Sequence, residues 1–360
     1  MSLSQPKRIL IIKLRHHGDV LLSTPVVDAL KTRFPDCEID MLVYAGTGQL
    51  IADNPQIAQI FTIDRNWKKL GIFKQLACEK NLFSKLKARD YDWAFNLSDQ
   101  WCAAIIAKLC ARCSVGLDCI KRDGFWWRFC HDFINHELDT SHHIVENQLN
   151  ILAPLIQPED VADAKVRLWV AQDARESMRQ KLREQGWNGE DYVLLHPGAR
   201  WHFKCWEDGK NAAIVQLLLN SGQNVVLTAS PDSVEQYMLQ EIIGRLNIPE
   251  GRKVYVLSGC LSLRELAAAI EGAKLFVGVD SAPMHIAAAL DKPQIALFGA
   301  SWVDKWRPYS EQAEVIYAGD YAKLPHPDSI DTNDPTRLLK AIPLQDVWDK
   351  ISAKLEALEA

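Results

Sequence analysis

The sequence of 360 residues has no apolar run that approaches the ~18–20 residues of a membrane-spanning helix. Its first apolar run, residues 9–12, is short and is followed by Lys13, so it predicts a strand and not a secretory signal. Excess positive charge is also missing, because 41 Lys and Arg oppose 46 Asp and Glu. The net charge of −5 argues against a chain that coats nucleic acid, and a hydrophobic share of 48% excludes disorder.

Motifs typical of metal binding or cofactor binding are scarce in the sequence. The nine cysteines are an odd number, which favours free thiols in a cytosolic protein. One Cys-x-x-Cys spacing occurs, at Cys110 and Cys113, and it has no second pair, so we expect no zinc site. The dinucleotide fingerprint Gly-x-Gly-x-x-Gly is absent after the first strand, and Gly46-Thr-Gly48 lacks the third glycine. A nicotinamide dehydrogenase is therefore disfavoured.

Short β-rich runs alternate with longer runs that carry apolar residues at helical spacing, which predicts α/β architecture with parallel sheets. The pattern restarts after an aperiodic stretch near residues 155–175. We therefore predict two α/β domains, 1–165 and 166–340, and a helix in 341–360 that packs back on the first domain. The predicted strands are residues 8–14, 39–43, 60–63, 93–97, 192–195, 224–228, 254–257, 275–279 and 294–298.

The loops that directly follow these strands are where open α/β sheets bind ligands. In the first domain, Gly18 permits a tight turn and Asp19 lies at the start of the next helix. Asp19 could be an ordinary helix cap. It could equally be a carboxylate that the helix dipole keeps ionised and directs at a ligand.

Three loops of the second domain carry candidate ligand-binding residues. After the strand at 192–195, Gly198 allows close backbone approach, and Arg200 and Lys204 add positive charge, although a solvated surface turn is an equal alternative. At 279–285 a strand passes at once into a helix whose first N–H groups could bind an anion. The candidates in this turn are Asp280, Ser281, Ala282 and His285. The third loop follows the strand at 224–228, and its candidate is Glu235.

Each of these residues has a plain structural alternative. Asp280 could cap the helix or hydrogen-bond sugar hydroxyls, since a carboxylate repels phosphate. His285 could reach a phosphate or pack inside the domain. Glu235 could stabilise the first turn of its helix or accept hydrogen bonds from a ribose.

Basic residues concentrate in the first domain. Residues 65–89 contain eight Lys and Arg and one acid, Glu79. Further along, Arg122 and Arg128 flank the pair Trp126-Trp127. A solvated helix face explains part of this bias. A cationic and aromatic surface on an acidic chain also suits an anionic partner at a membrane surface.

Together these segments resemble the lipopolysaccharide heptosyltransferases nearly end to end. The resemblance rests on the opening strand with Gly18-Asp19, the Lys204-Cys-Trp206 loop, the Ser230…Glu235 loop and the turn from Val279 to His285, followed by Phe298-Gly299. It is strongest to members that add the branch heptose of the inner core. Where other members often have Thr-Gly, this chain has Ser281-Ala282.

The resemblance implies a GT-B fold, with two Rossmann-like domains whose parallel sheets face a central cleft. It implies an inverting enzyme that moves L-glycero-D-manno-heptose from ADP-heptose to a heptose of the lipopolysaccharide inner core, in the cytoplasm and peripheral on the inner membrane. A GT-B transferase or epimerase that uses another nucleotide sugar is the alternative. No essential metal, other cofactor or nucleic-acid partner is expected.

The resemblance also implies residue roles. Asp19 is the expected base. The expected donor-binding residues are Gly198, Arg200, Lys204, Glu235, Asp280, Ser281, Ala282 and His285. The positions expected to bind the acceptor, on the grounds of the basic bias, are Arg65, Lys68, Lys69 and Arg122.

Overall fold

The computed structural model describes residues 5–118, 122, 124–157, 161 and 163–359. The chain forms two compact units, Met1–Trp169 and Val170–Ala360. The division lies four residues beyond the predicted boundary at 165. Within the predicted junction at 155–175, residues 158–160 and 162 lie outside the described residues.

The first unit is built on a parallel sheet of six strands in the order β3-β2-β1-β4-β5-β6. The order places β1 at the centre, where the register pairs Ile9 with Ile39 on one side and Trp93 on the other. The strands are β1 Arg8–Lys13, β2 Glu38–Tyr44, β3 Gln59–Ile63, β4 Tyr91–Asn96, β5 Ala111–Asp118 and β6 Phe133–His136. The helices are α1 His17–Leu21, α2 Thr24–Arg33, α3 Ile72–Ala88, α4 Trp101–Cys110, α5 Phe125–Phe129 and α6 Ile144–Leu149.

The central strand is apolar on both faces because helices cover both sides of the sheet. Ile9 and Ile11 enter a core with α2. Leu10 and Ile12 point the other way, into a core with α3 and α4. This alternation explains why residues 9–12 form one continuous apolar run in the sequence.

The second unit repeats the design with strand order β12-β11-β10-β7-β8-β9. Its strands are β7 Tyr192–His196, β8 Asn224–Ala229, β9 Val254–Ser258, β10 Leu275–Val279, β11 Gln294–Phe298 and β12 Ala313–Tyr317. Its helices are α7 Gln172–Arg183, α8 Asp208–Asn220, α9 Ser233–Ile243, α10 Leu263–Gly272, α11 Ala282–Ala289, α12 Val303–Trp306 and α13 Leu344–Glu359. Each sheet has the strand order of a Rossmann fold, so the predicted α/β class with two Rossmann-like domains is confirmed.

The C-terminal helix α13 belongs to the second unit. Its stripe of Val347, Ile351 and Leu355 is buried in the same core as Val215 and Leu218 of α8. The prediction that this helix packs on the first domain is therefore wrong. The spacing of its apolar residues predicted correctly that one face of the helix is buried. It could not predict which domain covers that face, because any apolar surface can do so.

Among the described residues, we find no helix with both the length and the apolar character needed to cross a membrane.

Candidate active site

The centre of the candidate site in the second unit is an ion pair between Lys204 and Asp280. The Lys204 Nζ lies 2.5 Å from Asp280 Oδ2, and the side chains are only 15% and 6% exposed. The hydroxyl of Ser301 donates to the same carboxylate oxygen at 2.6 Å. The ammonium also lies 5.1 Å from the centre of the Trp201 ring. Two residues that the sequence singled out separately are thus brought into direct contact.

Helix α11 starts beside this ion pair. Its first residue, Ala282, follows Ser281, whose hydroxyl lies 3.3 Å from the carbonyl oxygen of Val279 and does not cap the helix. The first-turn N–H groups of a helix are a natural site for an anion. His285 is buried and faces the interior, which favours the packing alternative for this residue.

Glu235 belongs to a second buried polar group in the same unit. Its Oε2 accepts a hydrogen bond from the backbone N–H of Ser230 at 2.9 Å and lies 3.8 Å from His196 Nε2. The other imidazole nitrogen, Nδ1, is 2.9 Å from Thr228 Oγ1. The cap of α9 is Asp232, which accepts from the N–H of Val234. Glu235 is therefore in the first turn of its helix without being its cap.

Gly198 lies next to the Glu235 carboxylate, which leaves no room for a side chain at position 198. A Cβ atom at position 198 would lie 2.4 Å from Glu235 Oε2. Arg200, two residues on, is exposed. The loop after β7 thus passes closely over Glu235 before it reaches Lys204.

These groups share one edge of the sheet. They follow β7, β8, β10 and β11, which are adjacent in the order β11-β10-β7-β8. Carboxyl ends of parallel strands meet at the same edge, which explains why residues far apart in sequence come together. His196 and Thr228 were not singled out from the sequence. The signal for them was a polar residue at the carboxyl end of an otherwise apolar strand.

In the first unit, Asp19 lies in the short helix α1 directly after β1. Its carboxylate accepts from the backbone N–H of His16 at 3.3 Å, as part of a capping box. The N-cap of α1 is His16 and Asp19 is its third residue, so Asp19 supports the helix start without being its cap. Asp19 is nevertheless only partly buried, so its carboxylate is accessible at the carboxyl edge of the sheet.

Lys13 is a buried cation close to Asp19 that sequence reasoning missed. Its side chain is 5% exposed, and Nζ donates to the carbonyl oxygen of Leu97 at 3.3 Å. Burial lowers the pKa of Lys13, and the negative charge of Asp19 is the main influence that opposes this shift. The signal in the sequence that could have identified it is a lysine at the end of an apolar strand.

The basic residues expected to bind the acceptor lie along the same edge. Arg65, Lys68 and Lys69 form a 3-10 turn after β3, with the Arg65 guanidinium 3.9 Å from the centre of the Tyr44 ring. Arg122 Nε donates to the carbonyl oxygen of Asp99 at 2.8 Å. Its guanidinium also lies 5.5 Å from the centre of the Trp101 ring. All four expected positions therefore follow carboxyl ends of strands in the sheet that carries Asp19.

Comparison with known proteins identifies the class. The model of glycosyltransferase family 9 (heptosyltransferase) matches residues 80–336. The chain is 37% identical over 335 residues to lipopolysaccharide heptosyltransferase 3 of Escherichia coli, an alignment that covers 93% of this chain and 95% of that one. The chain therefore belongs to glycosyltransferase family 9. It is a heptosyltransferase, as the resemblance in its sequence implied.

Solved structures agree on the fold. A family 9 glycosyl transferase from Veillonella parvula matches with a TM-score of 0.83 and 21% identity over 99% of both chains. The Escherichia coli ADP-heptose lipopolysaccharide heptosyltransferase II matches with a TM-score of 0.75 and 23% identity, over 98% of this chain and all of that one.

The buried His196 predicts a pH dependence of stability. Burial lowers the pKa of His196, whereas the unfolded chain protonates its histidines near pH 6.5. Below that pH the unfolded state takes up a proton that the folded state does not. The free energy of unfolding should therefore fall, by up to about 1.4 kcal/mol per pH unit for this group.

Urea unfolding at pH 7.5 and 5.5 tests this expectation. His196→Gln should show a smaller loss between the two pH values than the wild type. The matched control is His326→Gln, which replaces an exposed histidine and should keep the wild-type dependence. An unchanged dependence in His196→Gln would show that this imidazole does not contribute.

Proposed function

We propose that this enzyme transfers L-glycero-D-manno-heptose from ADP-heptose to a heptose of the lipopolysaccharide inner core, with inversion at the anomeric carbon. The observation that carries the proposal is the Lys204–Asp280 pair beside the start of α11. The relatives support it, since a solved Escherichia coli heptosyltransferase is described with ADP and with ADP-2-deoxy-2-fluoro heptose.

The second unit supplies the donor site. The pyrophosphate of ADP-heptose meets the N–H groups at the start of α11 and the ammonium of Lys204. Asp280 accepts hydrogen bonds from heptose hydroxyls, and Glu235 accepts them from the ribose. As the bond between the anomeric carbon and the phosphate oxygen breaks, negative charge grows on ADP. The same positive groups stabilise that charge, and so they lower the barrier.

The first unit supplies the base. The acceptor hydroxyl attacks the anomeric carbon on the face opposite ADP, and its oxygen forms the new bond as ADP leaves with the electron pair. Asp19 takes the hydroxyl proton. The buried Lys13 is the cation beside this step, and the charge of Asp19 partly opposes the lowering of the Lys13 pKa by burial. The transition state has oxocarbenium character, so the proton leaves late and an ordinary carboxylate suffices.

We propose that the basic turn at Arg65, Lys68 and Lys69, together with Arg122, binds anionic groups of the acceptor. Because the acceptor is linked to lipid while the donor is a water-soluble nucleotide sugar, we place the enzyme in the cytoplasm, in peripheral contact with the inner membrane.

Asp19→Asn should reduce heptose transfer by at least about 100-fold, because the amide cannot accept the proton. Asparagine keeps an oxygen that accepts from the N–H of His16, so the helix start should be retained. The measurement is the mass of truncated core lipopolysaccharide after incubation with ADP-heptose. Calorimetry should show nearly wild-type affinity for the donor. Turnover near that of the wild type would exclude Asp19 as the base.

Lys204→Met should weaken ADP-heptose binding by about 10-fold or more in calorimetry, because the charge that faces the pyrophosphate is lost. Lys274→Met is a matched control: Lys274 is 18% exposed and pairs with Glu359 at 2.5 Å, at the opposite edge of the same sheet. The control should bind the donor like the wild type. Thermal melting of both variants checks their folding, and equal donor affinity would reject the role of Lys204.

We also propose that no metal is essential, because Lys204 and the start of α11 supply the positive charge that divalent metal supplies elsewhere. The sequence Asp90-Tyr-Asp92 resembles a metal-binding Asp-x-Asp, but both carboxylates contact Arg112, at 2.6 Å and 3.1 Å, at the amino edge of the first sheet. Dialysis against EDTA should leave the transfer rate unchanged within about twofold. A loss that Mg²⁺ or Mn²⁺ restores would contradict the proposal.

A further inference from the structure

Helix α4 is apolar on nearly all sides. Lys108 is its one charged residue. Ala103, Ala107 and Cys110 face the core of the first unit. On the outer side, Trp101, Ile105 and Leu109 repeat every four residues and are 43–53% exposed. A helix without a polar face is normally covered on both sides, so this outer stripe is unusual for a surface.

Two neighbouring helices extend the exposed apolar stripe. Helix α3 packs on α4, and its first half exposes Phe73 by 85% and Leu76 by 54%. Helix α5 exposes Phe125, Trp126 and Phe129 by 64–72%. Its Trp127 contacts Trp101 of α4 with ring centres 5.5 Å apart. We call the exposed apolar side chains of α3, α4 and α5 the apolar face.

The surroundings of the apolar face are cationic. Lys68 and Lys69 precede α3, and Lys74 and Lys80 are exposed on it. Within residues 65–89 a single acid, Glu79, opposes eight Lys and Arg, although the whole chain carries a net charge of −5. Exposed aromatic residues bordered by lysines are the pattern of a surface that binds anionic lipid, since rings enter the interface and ammonium groups meet phosphates.

The apolar face adjoins the edge of the sheet that carries the candidate base. The Arg122 guanidinium stacks over Trp101 and Trp127 while its Nε donates to the carbonyl oxygen of Asp99. The carboxylate of Asp99 in turn accepts from Arg15, in the loop between β1 and α1. A flat partner on the apolar face would therefore lie beside the loops that precede Asp19.

We propose that the apolar face docks on an anionic phospholipid bilayer, with its aromatic side chains in the headgroup region and the lysines of α3 against lipid phosphates. The inference rests on the proposed function to the extent that a lipid-linked acceptor requires the enzyme to work at a membrane. It adds the surface that makes the contact and the chemistry that the surface recognises.

Sedimentation of the full chain with vesicles tests the proposal, without donor or acceptor. Vesicles of phosphatidylcholine alone are compared with vesicles that contain about one third phosphatidylglycerol. The wild type should bind the anionic vesicles at least about 10-fold more strongly and should lose this preference in about 0.5 M NaCl, which screens lipid charge.

Two double variants remove parts of the apolar face: Phe73→Ser with Leu76→Ser, and Phe125→Ser with Trp126→Ser. Each should weaken binding to anionic vesicles by about 10-fold or more, since several exposed side chains leave the interface. The matched control combines Ile248→Ser and Leu358→Ser, which are 48% and 41% exposed in the second unit, and it should bind like the wild type. Thermal melting checks that all variants fold.

Equal vesicle binding by the variants and the control would overturn the proposal, and so would the absence of wild-type binding. Analytical ultracentrifugation distinguishes another occupant. A wild-type dimer that both double variants convert to monomer, without vesicle binding, would assign the face to a second copy of the chain. Because vesicle binding is measured without sugar substrates, a failure of heptose transfer with intact binding would count against the proposed function alone.

Discussion

The site in the second unit depends on the contact between Lys204 and Asp280, two charges that are buried together. Burying either charge alone is costly, and removal of one partner from such a pair costs about 3–5 kcal/mol. The pair therefore holds the loop after β7 against the loop after β10. In the proposed function each group exchanges its partner for a ligand group: phosphate replaces the carboxylate at Lys204, and a sugar hydroxyl replaces the ammonium as hydrogen-bond donor to Asp280.

The parallel sheet makes this contact possible. Lys204 and Asp280 are 76 residues apart in sequence, but β7 and β10 are neighbours, so their carboxyl ends present both loops at one edge. The same topology places Glu235 beside Gly198, where the absence of a Cβ lets the two loops approach. In the first unit, the corresponding edge gathers Asp19, Lys13 and the basic turn after β3. The chemistry of each unit is thus concentrated where strands end, while the apolar strand interiors supply the stability.

Much of this arrangement was predictable from the sequence because strand ends can be located by pattern. The continuous apolar runs identified nine of the twelve strands described and missed β5, β6 and β12. The polar residues that follow the identified strands included Asp19, Lys204 and Asp280. The contact partners were not predictable in the same way. Spacing along the chain does not reveal that Lys204 pairs with Asp280, or that His196 lies between Thr228 and Glu235, because these contacts depend on strand order. The partner of α13 was mistaken for the same reason: an amphipathic stripe indicates burial without identifying the surface that buries it.

Helix α4 shows a second limit of prediction from the spacing of apolar residues, because that spacing does not show which stripe is buried. Trp101, Ile105 and Leu109 have the spacing of a core stripe, and from the sequence alone they are indistinguishable from Ala103 and Ala107 on the other side. Only the structure shows that one stripe is buried and the other exposed. The free energy of leaving large apolar side chains in water is unfavourable by about 25 cal/mol for each Å². Three neighbouring helices that share this exposure, next to a basic turn and at the edge that carries Asp19, are better explained by a surface that is covered when the enzyme works than by a core that failed to close.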